Sequence, residues 1–267
     1  MTVRLRLPIR ALIFFVMIFA HPIYADVLDD VLERGTLRIG VSEFVPWTMT
    51  SNSGELIGFE IEVARKIASD MNVTPEFRVY PWEEIIPALQ KGEIDVIAGG
   101  MAITPARALR VNFSRPLAES GISLATNSKK TADITSLKEL NSEISVITVV
   151  TDTLAHSVAR TFFDQAEIKV FATSDLAEQE LLEDRAHVYL ATVAEVNFLA
   201  LIHPDEVDVP MSEPLMASKE GLAVKKGEQE LLNFLDAWVV AHQADKWLGA
   251  THQYWFNTID WVSEVRE

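Results

Sequence analysis

The clearest candidate chemistry lies in one stretch, residues 94–107, Ile-Asp-Val-Ile-Ala-Gly-Gly-Met-Ala-Ile-Thr-Pro-Ala-Arg. Residues 94–98 read as a short buried strand that ends on Gly99-Gly100, where backbone can approach another group closely. Thr104-Pro105 then reads as a helix start, with Thr at the N-cap and Pro at the first helical position. Arg107 falls in the first turn of that helix, where the dipole ordinarily disfavours a cation. Dipole, free N–H groups and Arg107 together predict a site for an anion. The plainer alternative is a strand–turn–helix carrying an exposed arginine.

The elements around this stretch alternate. Residues 26–34 predict a helix stopped by Gly35, and 36–41 a strand. Residues 42–53 read as a loop holding Phe44, Pro46 and Trp47. An amphipathic helix is expected over 58–71, a strand over 77–80, and a helix over 82–91 that Gly92 terminates. A second unit repeats the grammar. Strands are expected at 145–150, 169–172 and 187–191, and helices at 151–163, 174–184 and 193–201, with Thr151-Asp152-Thr153 and Ser174 as caps. A strand at 222–224 and helices at 228–242 and 245–256 close the chain. Strand–helix alternation in both units predicts α/β sheets with largely parallel strands.

The chain begins with Arg4, Arg6 and Arg10, an apolar run over 11–20, and Ile23-Tyr24-Ala25. Residues 1–25 therefore read as a secretory signal, too short in its apolar run to span a bilayer. The signal carries three of the 23 basic residues and no acidic one, so its removal takes the net charge from −16 to −19. A field that negative argues against nucleic acid or an anionic membrane as partner. With no cysteine, neither a disulfide nor a lipid anchor is expected, and stability must come from packed cores. About 240 residues suffice for two modest domains. The late tryptophans Trp238, Trp247, Trp255 and Trp261 sit at helical spacing and read as packing. No cysteine nucleophile, Gly-x-Ser-x-Gly, His-Glu-x-x-His or phosphate loop is present, and the histidines lack ligand spacing. No metal or cofactor is expected.

Four motifs in order, Gly-Thr-Leu-Arg-Ile-Gly-Val at 35–41, Gly-Phe-Glu-Ile-Glu-Val-Ala-Arg-Lys-Ile-Ala at 58–68, the run 82–107 and Val-Asn-Phe-Ser-Arg-Pro-Leu at 111–117, resemble the family 3 solute-binding proteins of ABC importers. The resemblance implies a type II periplasmic-binding-protein fold: two α/β lobes joined by two crossing strands, with ligand in the cleft. It divides the chain into a first lobe over 26–124 and 217–267 and a second over 125–216. It implies hinge closure around a small carboxylate-bearing solute, an amino acid or analogue, and delivery to an inner-membrane ABC permease. A periplasmic monomer is expected.

The resemblance also implies roles. Arg107 matches the residue that clamps a ligand α-carboxylate. Gly100 and Ala102 match positions that present backbone groups; relatives often carry a hydroxyl at the latter. Phe44 and Trp82 match wall aromatics, whereas Trp47 reads as core. Glu43 sits at the cleft edge. In the second lobe, amino-acid binders carry Gly-Thr where this chain has Asp152-Thr153, and an aspartate for the α-amine where it has Thr192. Asp152 either faces outward as an N-cap or takes over the amine, or the ligand lacks an α-amine. Residues 191–204 and 235–255 also resemble the secreted cyclohexadienyl dehydratases, in which Glu195 would match a general acid; the cleft lysine of that branch is missing at 120–122. The receptor is the expected function. Prephenate or arogenate dehydratase, and a receptor feeding a membrane sensor, are its alternatives.

Overall fold

A computed structural model describes residues 26–265; the signal read at 1–25 lies outside them. Asp26 caps α1 (Val27–Arg34), accepting from Leu28 N–H at 3.0 Å, and Gly35 ends it in the left-handed region. β1 (Thr36–Val41) follows. The stretch read as a loop at 42–53 instead contains β2 (Met49–Thr50), which pairs with β3 (Leu56–Ile57). This pairing joins segments on either side of a turn and has no period-2 signal. Then come α2 (Phe59–Asp70), β4 (Thr74–Val79) and α3 (Trp82–Lys91). Gly92 stops α3 at φ 75°.

β5 (Val96–Ile97) is shorter than the expected strand. Its neighbour Asp95 is buried and structural: it accepts from Arg34 Nη2 at 2.6 Å and from Arg38 Nη2 at 2.5 Å. Thr104 and Pro105 do open a helix, but α4 (Pro105–Ala108) is a single turn. A helix of that length sums few peptide dipoles, so the expected dipole contribution to an anion site is corrected to a minor one. β6 (Val111–Phe113) follows.

β7 (Ala118–Asn127) is the longest strand and had no sequence signal. After α5 (Leu137–Leu140) the second unit runs β8 (Val146–Val150), α6 (Leu154–Phe162), β9 (Glu167–Phe171), α7 (Ser174–Leu182), β10 (Val188–Thr192) and α8 (Val193–Ile202). Within the expected cap Thr151-Asp152-Thr153 it is Thr153 that caps α6, accepting from His156 N–H at 3.2 Å, whereas Thr173, not Ser174, stands at the N-cap of α7. β11 (Val207–Asp208), β12 (Met216–Glu220) and β13 (Ala223–Lys225) lead to α9 (Gln229–Ala244), α10 (Trp247–Asn257) and α11 (Val262–Val265).

The strands form two mixed sheets. The first has the order β4-β1-β5-β13-β6 and the second β11-β7-β10-β8-β9, with β12 on the free side of β7. Each sheet holds two parallel pairs, while β13 and β7 run antiparallel to all their neighbours, so the expected largely parallel pairing is met only in the part of each sheet away from those two strands. The chain passes between sheets twice, from β6 to β7 and from β12 to β13. On the first sheet, α2, α9 and α10 build one apolar cluster around Ile39, Phe59, Leu235 and Trp255, and α3 builds another around Ile85 and Leu89. Trp238, Trp255 and Trp261 are buried in or beside the first cluster, as their spacing predicts. The second sheet carries its own two clusters, under α6 and under α7 and α8.

Candidate functional site

A cavity lies between the two sheets. It contains about 530 Å³ of space free of atoms, part of it open to solvent. Phe44, Trp82, Gly100, Ala102 and Arg107 line it from the first sheet, and Thr192 and Glu195 from the second. Seven of the nine residues singled out from the sequence are thus brought together.

Arg107 is positioned by the Thr104 cap, whose Oγ1 accepts its N–H at 3.3 Å. Its Nη1 donates to Ala102 O at 3.0 Å and its Nη2 to Asp152 O, also at 3.0 Å. The guanidinium carbon sits 5.2 Å from the Trp82 ring centre, a cation–π distance. Burial pulls its pKa down to about 10, and the charge of Asp152 only partly opposes that. Both hydrogen-bond partners are neutral carbonyls, so three N–H donors remain for an anion. Trp82 meets Phe44 edge to face at 5.2 Å, and its Nε1 donates to Asp152 O at 3.1 Å.

Gly100 is needed for two reasons. Its φ is 64°, and a Cβ would sit 2.7 Å from Trp47 Cδ2. Its N–H donates to Glu60 Oε1 at 3.0 Å. Glu60 is fully buried on α2, and burial drives its carboxyl up to about 8 despite that bond. Trp47 is core, as expected, with 1% exposure, yet it also lines the cavity.

The second-sheet side differs from the roles weighed for it. Asp152 is in the left-handed region with φ 54°, its side chain is exposed, and only its carbonyl enters the site. It is not the N-cap of α6, a place taken by Thr153. Glu195 is buried, and both its oxygens are engaged. Oε1 accepts from Ser174 Oγ at 2.9 Å and Tyr189 Oη at 3.3 Å; Oε2 accepts from Thr192 Oγ1 at 2.8 Å and Thr192 N at 3.2 Å. Thr192 and Glu195 form a reciprocal capping box on α8. Burial raises the Glu195 pKa against these bonds. Glu43 is exposed, accepts from Thr50 Oγ1 at 2.5 Å, and lines a neighbouring groove that runs to Ser174 and Glu195.

Among the cavity residues that escaped the sequence reading are Ser218 and Glu220 on β12. Glu220 is 2% exposed, and Ser218 Oγ donates to its Oε1 at 2.5 Å. Their i, i+2 spacing puts both on one face of the strand. That alternation was the available signal, diluted by Lys219.

A two-lobed α/β chain with a cavity between sheets and an arginine turned into it defines a ligand-binding protein. Residues 37–258 match the bacterial extracellular solute-binding proteins, family 3, and the chain belongs to that family. The L-cystine-binding protein TcyJ of Escherichia coli strain K12 is 24% identical over 237 residues, covering 87% of this chain and 88% of that protein. A putative binding component of an ABC transporter from Wolinella succinogenes, solved with lysine, superposes with TM-score 0.80 at 28% identity, over 86% of this chain and 99% of that one. The ancestral amino acid-binding protein AncCDT-1, a precursor of cyclohexadienyl dehydratase, gives TM-score 0.79 at 30% identity, over 87% and 100%.

Proposed function

We propose that the chain is the periplasmic substrate-binding component of an ABC importer and captures an amino acid or close analogue by hinge closure. The observation that carries this reading is Arg107. It is a partly buried cation bonded only to carbonyls, in an apolar cavity between two sheets. A carboxylate meeting its free N–H groups would gain charge-assisted, bidentate bonds. The names of similar proteins, which include binders of L-cystine, histidine and arginine, support an amino acid as that carboxylate's bearer. The fully engaged Glu195 supports binding over proton transfer.

In this reading the lobes divide at 26–124 with 217–267, and at 125–216. The two passages between sheets act as the hinge. Residues 1–25 direct export and are removed, and the protein meets its permease as a monomer. A thermal-shift screen over amino acids and organic acids tests the reading. A true ligand at a hundredfold excess over Kd adds about 2.7 kcal/mol of stability. Small-angle scattering should show a smaller radius of gyration with that ligand than without it. No stabilisation by any amino acid rejects the ligand class, and no compaction at saturation rejects hinge closure. Stabilisation by prephenate with conversion to phenylpyruvate would restore the enzyme alternative. Amino-terminal sequencing of the exported protein tests cleavage after Ala25.

A further inference from the structure

The cavity holds one carboxyl group whose hydrogen-bonding capacity is not used up. Of the buried carboxyls near it, Glu195 spends both oxygens on the α8 capping box, Ser174 and Tyr189. Glu60, whose Oε2 is likewise without a partner among the described residues and which lies near enough to Glu220 for the two charges to repel, sits behind Gly100 and does not line the cavity. Glu220 does line it. Its Oε1 accepts from Ser218 Oγ, while its Oε2 is buried with no partner among the described residues. A buried oxygen left in that condition costs roughly 1–3 kcal/mol, more for a charged group, so its persistence in the wall of a cavity marks a place for a donor.

Its location narrows the donor. Glu220 forms an isolated antiparallel bridge with Ala102, and the carbonyl of Ala102 accepts from Arg107 Nη1. The carboxyl of Glu220 and the guanidinium of Arg107 therefore flank one residue and line one cavity. Residues directly opposed across such a pair have Cα atoms about 4.5–5.5 Å apart. A ligand able to serve both groups needs an anion and a cation a few bonds apart.

We propose that Glu220 is the anchor for the α-ammonium group of a zwitterionic ligand whose carboxylate is held by Arg107. The inference rests on the amino-acid reading above. It assigns to the strand between the lobes the amine contact that neither Asp152 nor Thr192 makes. Desolvation raises the Glu220 carboxyl to about 7, so the empty site tolerates a neutral side chain there, and an arriving ammonium favours the ionised form. Because β12 leads straight into β13 across the passage between sheets, a contact at Glu220 bears on the segment that must bend during closure.

The test uses the full mature chain and calorimetry, with L-lysine, L-arginine and L-glutamine as probes. For L-lysine and L-glutamine the des-amino counterparts are 6-aminohexanoate and glutaramate, and L-norleucine lacks the lysine side-chain charge. Wild type should prefer the amino acid over its des-amino counterpart by about a hundredfold. Glu220→Gln, isosteric and neutral, should keep the melting temperature of the empty protein, lose about a hundredfold in affinity for the amino acid, and leave the des-amino affinity unchanged, so that the preference collapses. Glu220→Asp, which keeps the charge, should recover part of it. A preference that survives in Glu220→Gln overturns the assignment. So does a Glu220→Gln defect confined to the step from L-lysine to L-norleucine, because Glu220 would then hold a side-chain cation. If wild type binds none of the probes and no other amino acid stabilises it, the amino-acid reading itself falls, a result distinct from loss in the variant alone.

Discussion

The guanidinium of Arg107 donates to the main-chain carbonyl of Asp152 from 3.0 Å across the cleft. The same oxygen accepts from Trp82 Nε1 at 3.1 Å. Two groups of the first sheet thus close on one carbonyl at the start of α6. Bonds of this kind contribute about 1 kcal/mol each. That is enough to favour a closed arrangement and small enough for a carboxylate on Arg107 to redistribute.

Arg107→Ala should remove ligand binding while the protein stays folded, since the side chain meets two main-chain carbonyls and the Trp82 ring at the cavity wall and is not itself part of a core cluster. The loss of two charge-assisted bonds corresponds to about 3 kcal/mol or more, over a hundredfold in Kd. Arg107→Lys should also weaken binding, because lysine lacks the planar fork. Calorimetry showing unchanged affinity in Arg107→Ala would remove the site assignment.

Asp152 contributes its carbonyl and not its carboxylate. Asp152→Asn should therefore leave affinity within about threefold, the range of an exposed charge. Its φ of 54° makes a different substitution informative. Asp152→Gly should raise stability by about 0.5–1 kcal/mol and Asp152→Val should lower it, because a β-branched residue resists the left-handed region. Melting curves of the three variants decide this. A tenfold loss of binding in Asp152→Asn would return the side chain to the site.

Glu60 makes stability depend on pH. Its folded pKa of about 8 lies above the ordinary 4.5, so between those values the folded state holds a proton that the unfolded chain has released. Its contribution is fully present below pH 4.5 and is lost as pH rises toward 8, at no more than about 1.4 kcal/mol per pH unit. Glu60→Gln keeps an oxygen for Gly100 N–H and removes the titration. It should melt close to wild type at pH 5 and above wild type at pH 8. Parallel pH profiles for the two proteins would show that Glu60 does not titrate in this window.

Gly100→Ala should both destabilise the fold and weaken binding. Its Cβ would meet the Trp47 ring at 2.7 Å with φ at 64°, and Trp47 is held edge to face by Phe59 and Phe256. Overpacking of this sort costs about 1–3 kcal/mol. A variant with wild-type melting temperature and affinity would mean that Trp47 shifts freely.

The elements legible in the sequence were those specified locally. Trp82–Lys91 was bounded by Gly92 and by the period of Ile85, Ile86 and Leu89, and the structure returns the same ends. The strands of β7 and β12 were not legible. Ala118–Asn127 mixes Glu119, Ser120, Gly121 and Ser123 with apolar residues, and pairs with β12 from nearly a hundred residues away. Such pairing leaves no local period. The site divides the same way. Phe44, Trp82, Gly100, Ala102 and Arg107 belong to contiguous motifs and meet in the cavity. Glu220 reads as one charge in Ser-Lys-Glu-Gly, and only its bridge to Ala102 buries it. For Asp152 the sequence leaves open whether the side chain faces outward or faces an amine; it is exposed, on a left-handed backbone that an aspartate tolerates without announcing it.

The placement of β13 constrains the order of assembly. It lies between β5 and β6, pairing Val224 with Val96 and with Asn112. When the ribosome has released everything up to Phe113, the first sheet still has a gap at its middle, and it keeps that gap until residues 223–225 emerge. Non-local pairing of this kind is slow to form. The nascent chain therefore passes through most of its synthesis without a complete sheet in its leading half. In that state a polypeptide can still be threaded, amino end first, through a narrow channel. A variant circularly permuted so that 223–225 are made before β5 would close the sheet early and lose that interval.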